Sequence, residues 1–386
     1  MTEWVKSIRQ TTTYFGLAVI VVIWSGVFFL GRQEHARAYD EAVRQGNNLT
    51  LVLEEYVQRV ILQSDNVLLA LRRDYQRDPE HFDLVSWAKD TQFHKSLTAN
   101  IGITDANGYV ILSSLRYLPS PVYVGERPPF LFQRASSSSD RLFISDPVVG
   151  GVSKEPSIQF TRPINGPSGQ FTGTVALALN IAELEKFFGS LDLGHAGIVS
   201  LVHSNGVVLV RDGSSPRAKE FIGTKLDSSP LFAELRKSSS GSYWNTTVTS
   251  AQFGGVKRLI SYRAISDLPL VAVIGRADKT IFQQADASYD KYVMIGVALT
   301  AAVLFVVLLV AHRQAQMLST SSELYSSKKS LEQSNRVLDE TKQFLNSIIE
   351  NIPVSVVVKD AATRKYILVN RAFENMVEMP RCDLLG

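Results

Sequence analysis

Apolar residues follow three distinct rhythms along this chain, and each rhythm implies a different element. Two segments run without a charge: YFGLAVIVVIWSGVFFL from Tyr14 to Leu30, and YVMIGVALTAAVLFVVLLVA from Tyr292 to Ala311. About 20 residues rising 1.5 Å each cover the roughly 30 Å of a bilayer's hydrocarbon. Transmembrane helices are therefore expected at residues 14–31 and 292–311. From Ala36 to about Asp74, Leu49, Leu53, Tyr56, Val60, Val67 and Leu71 recur at intervals of 3, 4 and 7, which is one face of a long helix. That helix continues from the first span and breaks at Asp78-Pro79, with Leu84, Trp87 and Ala88 on one side of a shorter helix beyond. After the second span, Met317, Leu324, Leu331, Leu338, Leu345 and Ile352 recur every seven residues, which reads as a coiled-coil seam over 312–350. Ser321, Lys328, Asn335 and Lys342 at the other core position weaken that seam and favour a parallel dimer; a single solvated linker helix is the other reading.

Between the spans the rhythm shortens to that of strands. NIGITDANGYVILSS, beginning at Asn100, is a hairpin in which Asn107-Gly108 supplies the positive φ angles of a tight turn. RLFISDPV, SIQFTRPI and FTGTVALAL follow as strands, and NIAELEKFFGSLDLG as an amphipathic helix ending at Gly194. A second hairpin, GIVSLVHSNGVVLVR, places Asn205-Gly206 98 residues after the first turn, and GSYWNTTV, KRLISYRAI and PLVAVIG follow it. Helix, hairpin and three further strands thus occur twice, which predicts a tandem α/β unit with mostly antiparallel sheets. A third hairpin, SVVVKDAATRKYILVN from Ser355, follows the helix that ends before Pro353.

Composition narrows the function. With 40 basic and 37 acidic side chains the net charge is +3, too balanced for a nucleic-acid footprint. The one cysteine, Cys382, excludes a disulfide framework and a cysteine zinc site. Lys6 and Arg9 precede the first span, and Arg313, Lys328 and Lys329 follow the second. Both termini are therefore expected in the cytoplasm, although Arg32 and Arg37 weaken the bias. A cleaved signal peptide ending near Ala36 is the rival for the first span; its apolar stretch is too long and the site too distant, which favours an uncleaved anchor. His35, His81, His94, His195 and His203 show no metal-ligand spacing, and neither HExxH nor GxSxG occurs, so no catalytic motif, metal or cofactor is expected. His203, beside the second turn, reads as an exposed strand-end residue.

LFISDPVVGG, PSIQFTRPINGPSGQFTGTVALALNIAELEKFF, LGHAGIVSLVHSNGVVLVRDG and RLISYRAISDLPLVAVIG together resemble the double Cache domain of bacterial transmembrane receptors. The resemblance covers about Ala36 to Asp286 and rests on Gly169, Phe171 and Gly173 of a GxFxG run, the Asn-Gly hairpins, and Pro269-Leu270 before the last strand. It implies two PAS-like modules stacked on one long helix, a sensor spanning 32–288 with a distal module at about 75–190 and a proximal one at about 191–285. In that family the distal module usually holds the ligand, and an arginine in an RxYF-like or RxWY-like motif grips a carboxylate with its planar fork. Here the motif reads ERPPF: Arg127 and Phe130 fit, and Pro129 stands where an aromatic is expected. The alternative for Arg127 is a loop arginine capping backbone carbonyls. Tyr123, Arg116, Lys154, Gln159 and Arg162 are further pocket candidates by their strand and loop positions. Amino-acid-binding members add a Tyr-x-Asp pair and a later Asp; Val148, Gly150 and apolar residues occupy those positions here. The acidic clamp for a ligand amine is missing, so the expected ligand is a small carboxylate or one that these motifs do not identify.

FLNSIIENIPVSVVVKDAATRKYILVNRAFENM is similar to the opening of a cytoplasmic PAS domain, with Asp360 closing a strand and Asn370 and Phe373 forming its N-x-x-F signature. Residues 351–386 are too short to complete such a domain. These resemblances imply a dimeric receptor in the bacterial inner membrane: residues 1–13 cytoplasmic, the sensor periplasmic, a small-molecule ligand outside, and membrane lipid and a second copy of the coiled coil as partners. The output module would lie outside this chain and would make or hydrolyse cyclic-di-GMP. The alternatives are the input half of a histidine kinase, or a stand-alone membrane-anchored binding or dimerisation protein.

Overall fold

The computed structural model describes residues 2–90, 98–115, 121–153, 155–213, 218–226, 229–245 and 255–385. They form two compact units, residues 26–294 and residues 1–25 with 295–386, and each is described by itself.

The larger unit is organised by α1 (Thr2–Arg77), which stops directly before Asp78-Pro79. Leu53, Val57, Val60, Ile61, Leu68 and Leu71 of α1 are buried on one face. A short α2 (Leu84–Asp90) follows, begun by the Asp83 carboxylate, which accepts the Val85 and Ser86 amides.

The first sheet contains β1 (Thr98–Asp105), β2 (Val110–Ser113), β3 (Phe143–Ile144), β4 (Val148–Val149), β5 (Pro156–Asn165) and β6 (Phe171–Asn180) in the order β2-β1-β6-β5-β3, with β4 also on β5. Between β2 and β3 lies α3 (Pro128–Ala135), and α4 (Ile181–Gly189) follows β6. The second sheet contains β7 (Ile198–His203), β8 (Val208–Gly213), β9 (Ser240–Asn245), β10 (Arg258–Ala264) and β11 (Leu270–Ala277) in the order β8-β7-β11-β10-β9, with α5 (Pro230–Leu235) between β8 and β9. Both sheets are antiparallel throughout and share one strand order, so the repeat in the sequence is a repeat in topology.

One hydrophobic cluster joins α1 to both sheets: Leu53, Val57 and Leu68 pack with Ile103, Phe160 and Leu177 of the first and Leu201, Leu209 and Ile274 of the second. Each such buried side chain contributes about 1.5–3 kcal/mol. Two details depart from the sequence-based expectations. The strand expected across RLFISDPV splits into β3 and β4 at Ser145-Asp146-Pro147, because Pro147 has no N–H to donate. In the first two hairpins only the glycine takes positive φ, 90° at Gly108 and 97° at Gly206, so each turn closes through a single left-handed residue rather than two.

The smaller unit contains the rest of α6 (Asp278–Asn351), which starts in the larger one. α1 and α6 are both long and apolar enough to cross a membrane. The helix ends before Pro353, as expected, and a hairpin of β12 (Val357–Lys359) and β13 (Tyr366–Val369) follows, then α7 (Arg371–Val377) and α8 (Arg381–Leu384). Buried Asn370 fastens that hairpin to the helix end: its amide donates to the carbonyls of Ile349 and Val354 at 2.9 Å, and its Oδ1 accepts the Val356 and Phe373 amides.

Candidate functional site

The two sheets differ on the face turned away from α1. Register makes the comparison position by position. Asn100, Gly102 and Thr104 of β1 correspond, 98 residues on, to Ile198, Ser200 and Val202 of β7. Their partners Ala178, Ala176 and Thr174 on β6 correspond to Gly275, Val273 and Val271 on β11. One strand further, Gln159 and Thr161 correspond to Ile260 and Tyr262. In the second copy Ile198, Val202, Val271, Val273, Ile260 and Tyr262 join a closed cluster with Leu226 and Leu231, and only Ser200 and Gly275 of the corresponding set stay outside it. In the first copy the small and polar set leaves a cavity of about 70 Å³. That is room for several waters or a ligand of a few heavy atoms.

The lid of this cavity begins at Arg127. A residue before proline is driven to extended backbone, and Arg127, with φ −76° and ψ 143°, stands so before Pro128. The prolines then start α3, where a missing N–H costs nothing. Pro129 and Phe130 are buried and line the cavity, and Phe130 packs edge-on against Phe171, ring centroids 5.5 Å apart. Gly173, two residues on, lies at φ 154°, and a Cβ there would stand 1.9 Å from the Thr104 carbonyl oxygen. The GxFxG run therefore supports the lid and permits β6 to lie against β1.

Arg127 Nη1 donates to the Val149 carbonyl at 3.2 Å while its side chain lines the cavity, so the carbonyl-capping and cavity-facing alternatives are both realised in part. Among the described residues it is the one charged residue that lines the space; the other polar groups there are hydroxyls and amides. Thr104 and Thr174 share a hydrogen bond of 2.8 Å on the floor, Asn100 Oδ1 accepts from Ser113 and Ser114, and the Thr161 carbonyl accepts from buried Gln133 at 2.6 Å. One cation, neutral dipoles and apolar walls suit a molecule with a single anionic end.

Of the residues singled out in the sequence, the structure brings Arg127, Phe130 and Gln159 together around the cavity. Tyr123 is 49% exposed and leans on Tyr109 across a β-bridge, away from the lining. Arg162 points to the opposite face, towards α1, where its guanidinium grips Asp65 and Asp140. Arg116 and Lys154 lie outside the described residues. Asn100, Thr104, Thr161 and Thr174 also line the cavity and were missed. Their signal lay in strand parity: alternate positions that are apolar in the second copy are small or polar in the first. Among the described residues no cluster of His, Cys, Asp and Glu could hold a metal ion.

Residues 30–285 match the family model of the Cache domain. Among solved structures, the extracellular domain of rpHK1S-Z16, assigned to the histidine kinases, is 24% identical with a TM-score of 0.55, over 64% of this chain and 98% of that one. The ligand-binding domain of the Pseudomonas fluorescens chemoreceptor CtaA in complex with L-isoleucine is 16% identical with a TM-score of 0.48, over 64% and 98% of the two chains. The ligand-binding domain of Mlp24 with asparagine is 16% identical with a TM-score of 0.46, over 66% and 99%. No curated protein sequence matches the chain.

Proposed function

The chain belongs to the Cache domain family, and from that premise we propose that it is a membrane receptor whose cavity beside Arg127 senses a small carboxylate. The observation that carries this reading is the hollow face that the first sheet turns away from α1, against the filled corresponding face of the second. Arg127 offers a planar fork to a carboxylate, with Gln159 and Phe130 completing the grip. Among the described residues no carboxylate lines the space to pair with an ammonium, which disfavours amino acids. The spans are residues 14–31 and 292–311, with residues 32–288 periplasmic between them. Ligand-induced closure changes the setting of α1 and α6, and the heptad seam on α6 carries that change in a parallel dimer. Exposure of Met317, Leu324, Leu331, Leu338 and Leu345 supports the seam's need for a second copy. On the resemblance of residues 351–386 to a PAS opening, the output is synthesis or hydrolysis of cyclic-di-GMP.

Thermal unfolding of the purified full chain with short carboxylates tests the site. A ligand at a hundred times its Kd stabilises by about 2.7 kcal/mol, or about 5–10 °C for a domain of this size. Arg127→Ala removes that shift if the reading is right; an undiminished shift contradicts it. Cellular cyclic-di-GMP, measured with and without the stabilising carboxylate, checks the output, and an unchanged level favours the histidine-kinase alternative.

A further inference from the structure

The repeat brings out a second difference, in the turns. In the first hairpin Asp105 Oδ1 accepts the backbone N–H of Asn107 at 3.0 Å and of Tyr109 at 2.8 Å. In the third, Asp360 Oδ1 accepts those of Ala362 at 2.9 Å and Thr363 at 2.7 Å. In the second hairpin the equivalent position, 98 residues after Asp105, is His203, whose Nδ1 accepts the Asn205 N–H at 3.2 Å. A donor aimed at Nδ1 selects the neutral tautomer with its proton on Nε2. Where two turns use a carboxylate, this one uses a group that titrates in the physiological range.

His203 is half-buried, not exposed as its strand-end position suggests. It ends β7, opposite Leu270 of β11. Among the described residues the charge that acts on it is Asp146, in the loop between β3 and β4 of the first sheet. The Asp146 carboxylate also accepts from Asn205 Nδ2, at 3.2 and 3.4 Å, so this turn links the two sheets.

We propose that His203 is a proton site at the junction of the two sheets, giving the receptor a second input, acidity, independent of the cavity. Protonation turns Nδ1 from acceptor into donor and ends its bond with the Asn205 N–H. The imidazolium then competes with Asn205 for the Asp146 carboxylate, and the turn loosens from the first sheet. Burial, the leading influence, holds the imidazole below its ordinary value of 6.5, while the Asp146 charge and the Asn205 side chain oppose that shift. A depressed histidine favours the fold in its neutral form. Its contribution is therefore present above pH 6.5 and is lost as pH falls through the lower folded value.

The test uses the full chain in lipid nanodiscs between about pH 7.5 and 5, the range in which histidine charges. Exchange of the imidazole C2 hydrogen, read by mass spectrometry, gives the midpoint of His203. Backbone exchange at Asn205–Val207, corrected for the chemical dependence on pH, gives the state of the turn. The expected result is a midpoint below 6.5 and a loss of protection of about tenfold or more across it. His203→Asn keeps an acceptor at the place of Nδ1 and should hold protection constant. Asp146→Asn removes the stabilising charge and should lower the midpoint, a readout that stands even if His203→Asn fails to fold. Protection that follows chemistry alone in the wild type, a transition that persists in His203→Asn, or a midpoint unmoved by Asp146→Asn overturns the proposal.

Discussion

Arg162 fastens the first sheet to α1 and takes no part in the lining of the cavity. Its Nε and Nη2 meet the two Asp65 carboxylate oxygens on α1 at 2.5 and 2.8 Å, and its Nη1 reaches the Asp140 carbonyl oxygen. Arg72, also on α1, grips the same Asp140 at 2.5 and 3.0 Å and donates to the Pro163 carbonyl at 3.0 Å. The Arg162 and Asp65 side chains are 13% and 17% exposed, so water screens their pairing little. Arg162→Met keeps the apolar stem and removes the fork. Hydrogen bonds to charged groups contribute about 1.5–3 kcal/mol each. Asp65, left without its arginine, gains only partial hydration, so the net loss should be about 2–4 kcal/mol. For a domain of this size that lowers the melting temperature by about 5–15 °C. Asp65→Asn should destabilise in the same direction, and the double variant should cost clearly less than the sum. Affinity for a stabilising carboxylate should stay within about twofold, because the fork lies across the sheet from the cavity. A melting point within about 1 °C of wild type, or a tenfold loss of affinity without loss of stability, refutes this reasoning. The clasp should also weaken in acid: the Arg72 hydrogen bond leads in holding Asp140 below its ordinary 3.8, so its stabilisation is present above that value and lost as pH falls through the folded one.

Gly173→Ala should destabilise the first sheet by more than about 2 kcal/mol, because its Cβ would overlap the Thr104 carbonyl at φ 154°; thermal unfolding within a degree of wild type contradicts this. Leu331→Asp in the seam should leave sensor stability unchanged while converting a dimer to a monomer by light scattering, since Leu331 is 63% exposed in the single chain. A wild-type monomer contradicts the proposed seam.

Long-range periodicity made much of this fold legible. Leu53, Val60 and Leu71 mark the buried face of α1, and Asp78-Pro79 marks its end, because helical spacing and the proline rule are local. The doubled hairpins disclosed the repeat for the same reason. Arg162 could have been assigned to the helix side by parity, since it shares the even positions of β5 with Ile158, Phe160 and Ile164, all buried towards α1. Its partner Asp65 could not, because 97 residues separate them and no local rule relates the two. The motif pointed to Arg127, but the cavity it lines depends on what Asn100, Thr104, Gln159 and Thr174 fail to fill. That is a property of strands brought together by register, visible only when both copies are aligned.

Propionate and L-alanine share a carboxylate and a methyl-bearing carbon and differ by one ammonium. Calorimetric titration of the full chain with each asks directly whether the cavity holds a carboxylate without an amine. With Arg127 as the one charge lining the space among the described residues, propionate should bind more tightly by about tenfold or more, a difference of about 1.4 kcal/mol, and Arg127→Ala should abolish its heat. Tighter binding of L-alanine, or propionate binding that survives Arg127→Ala, would contradict the account.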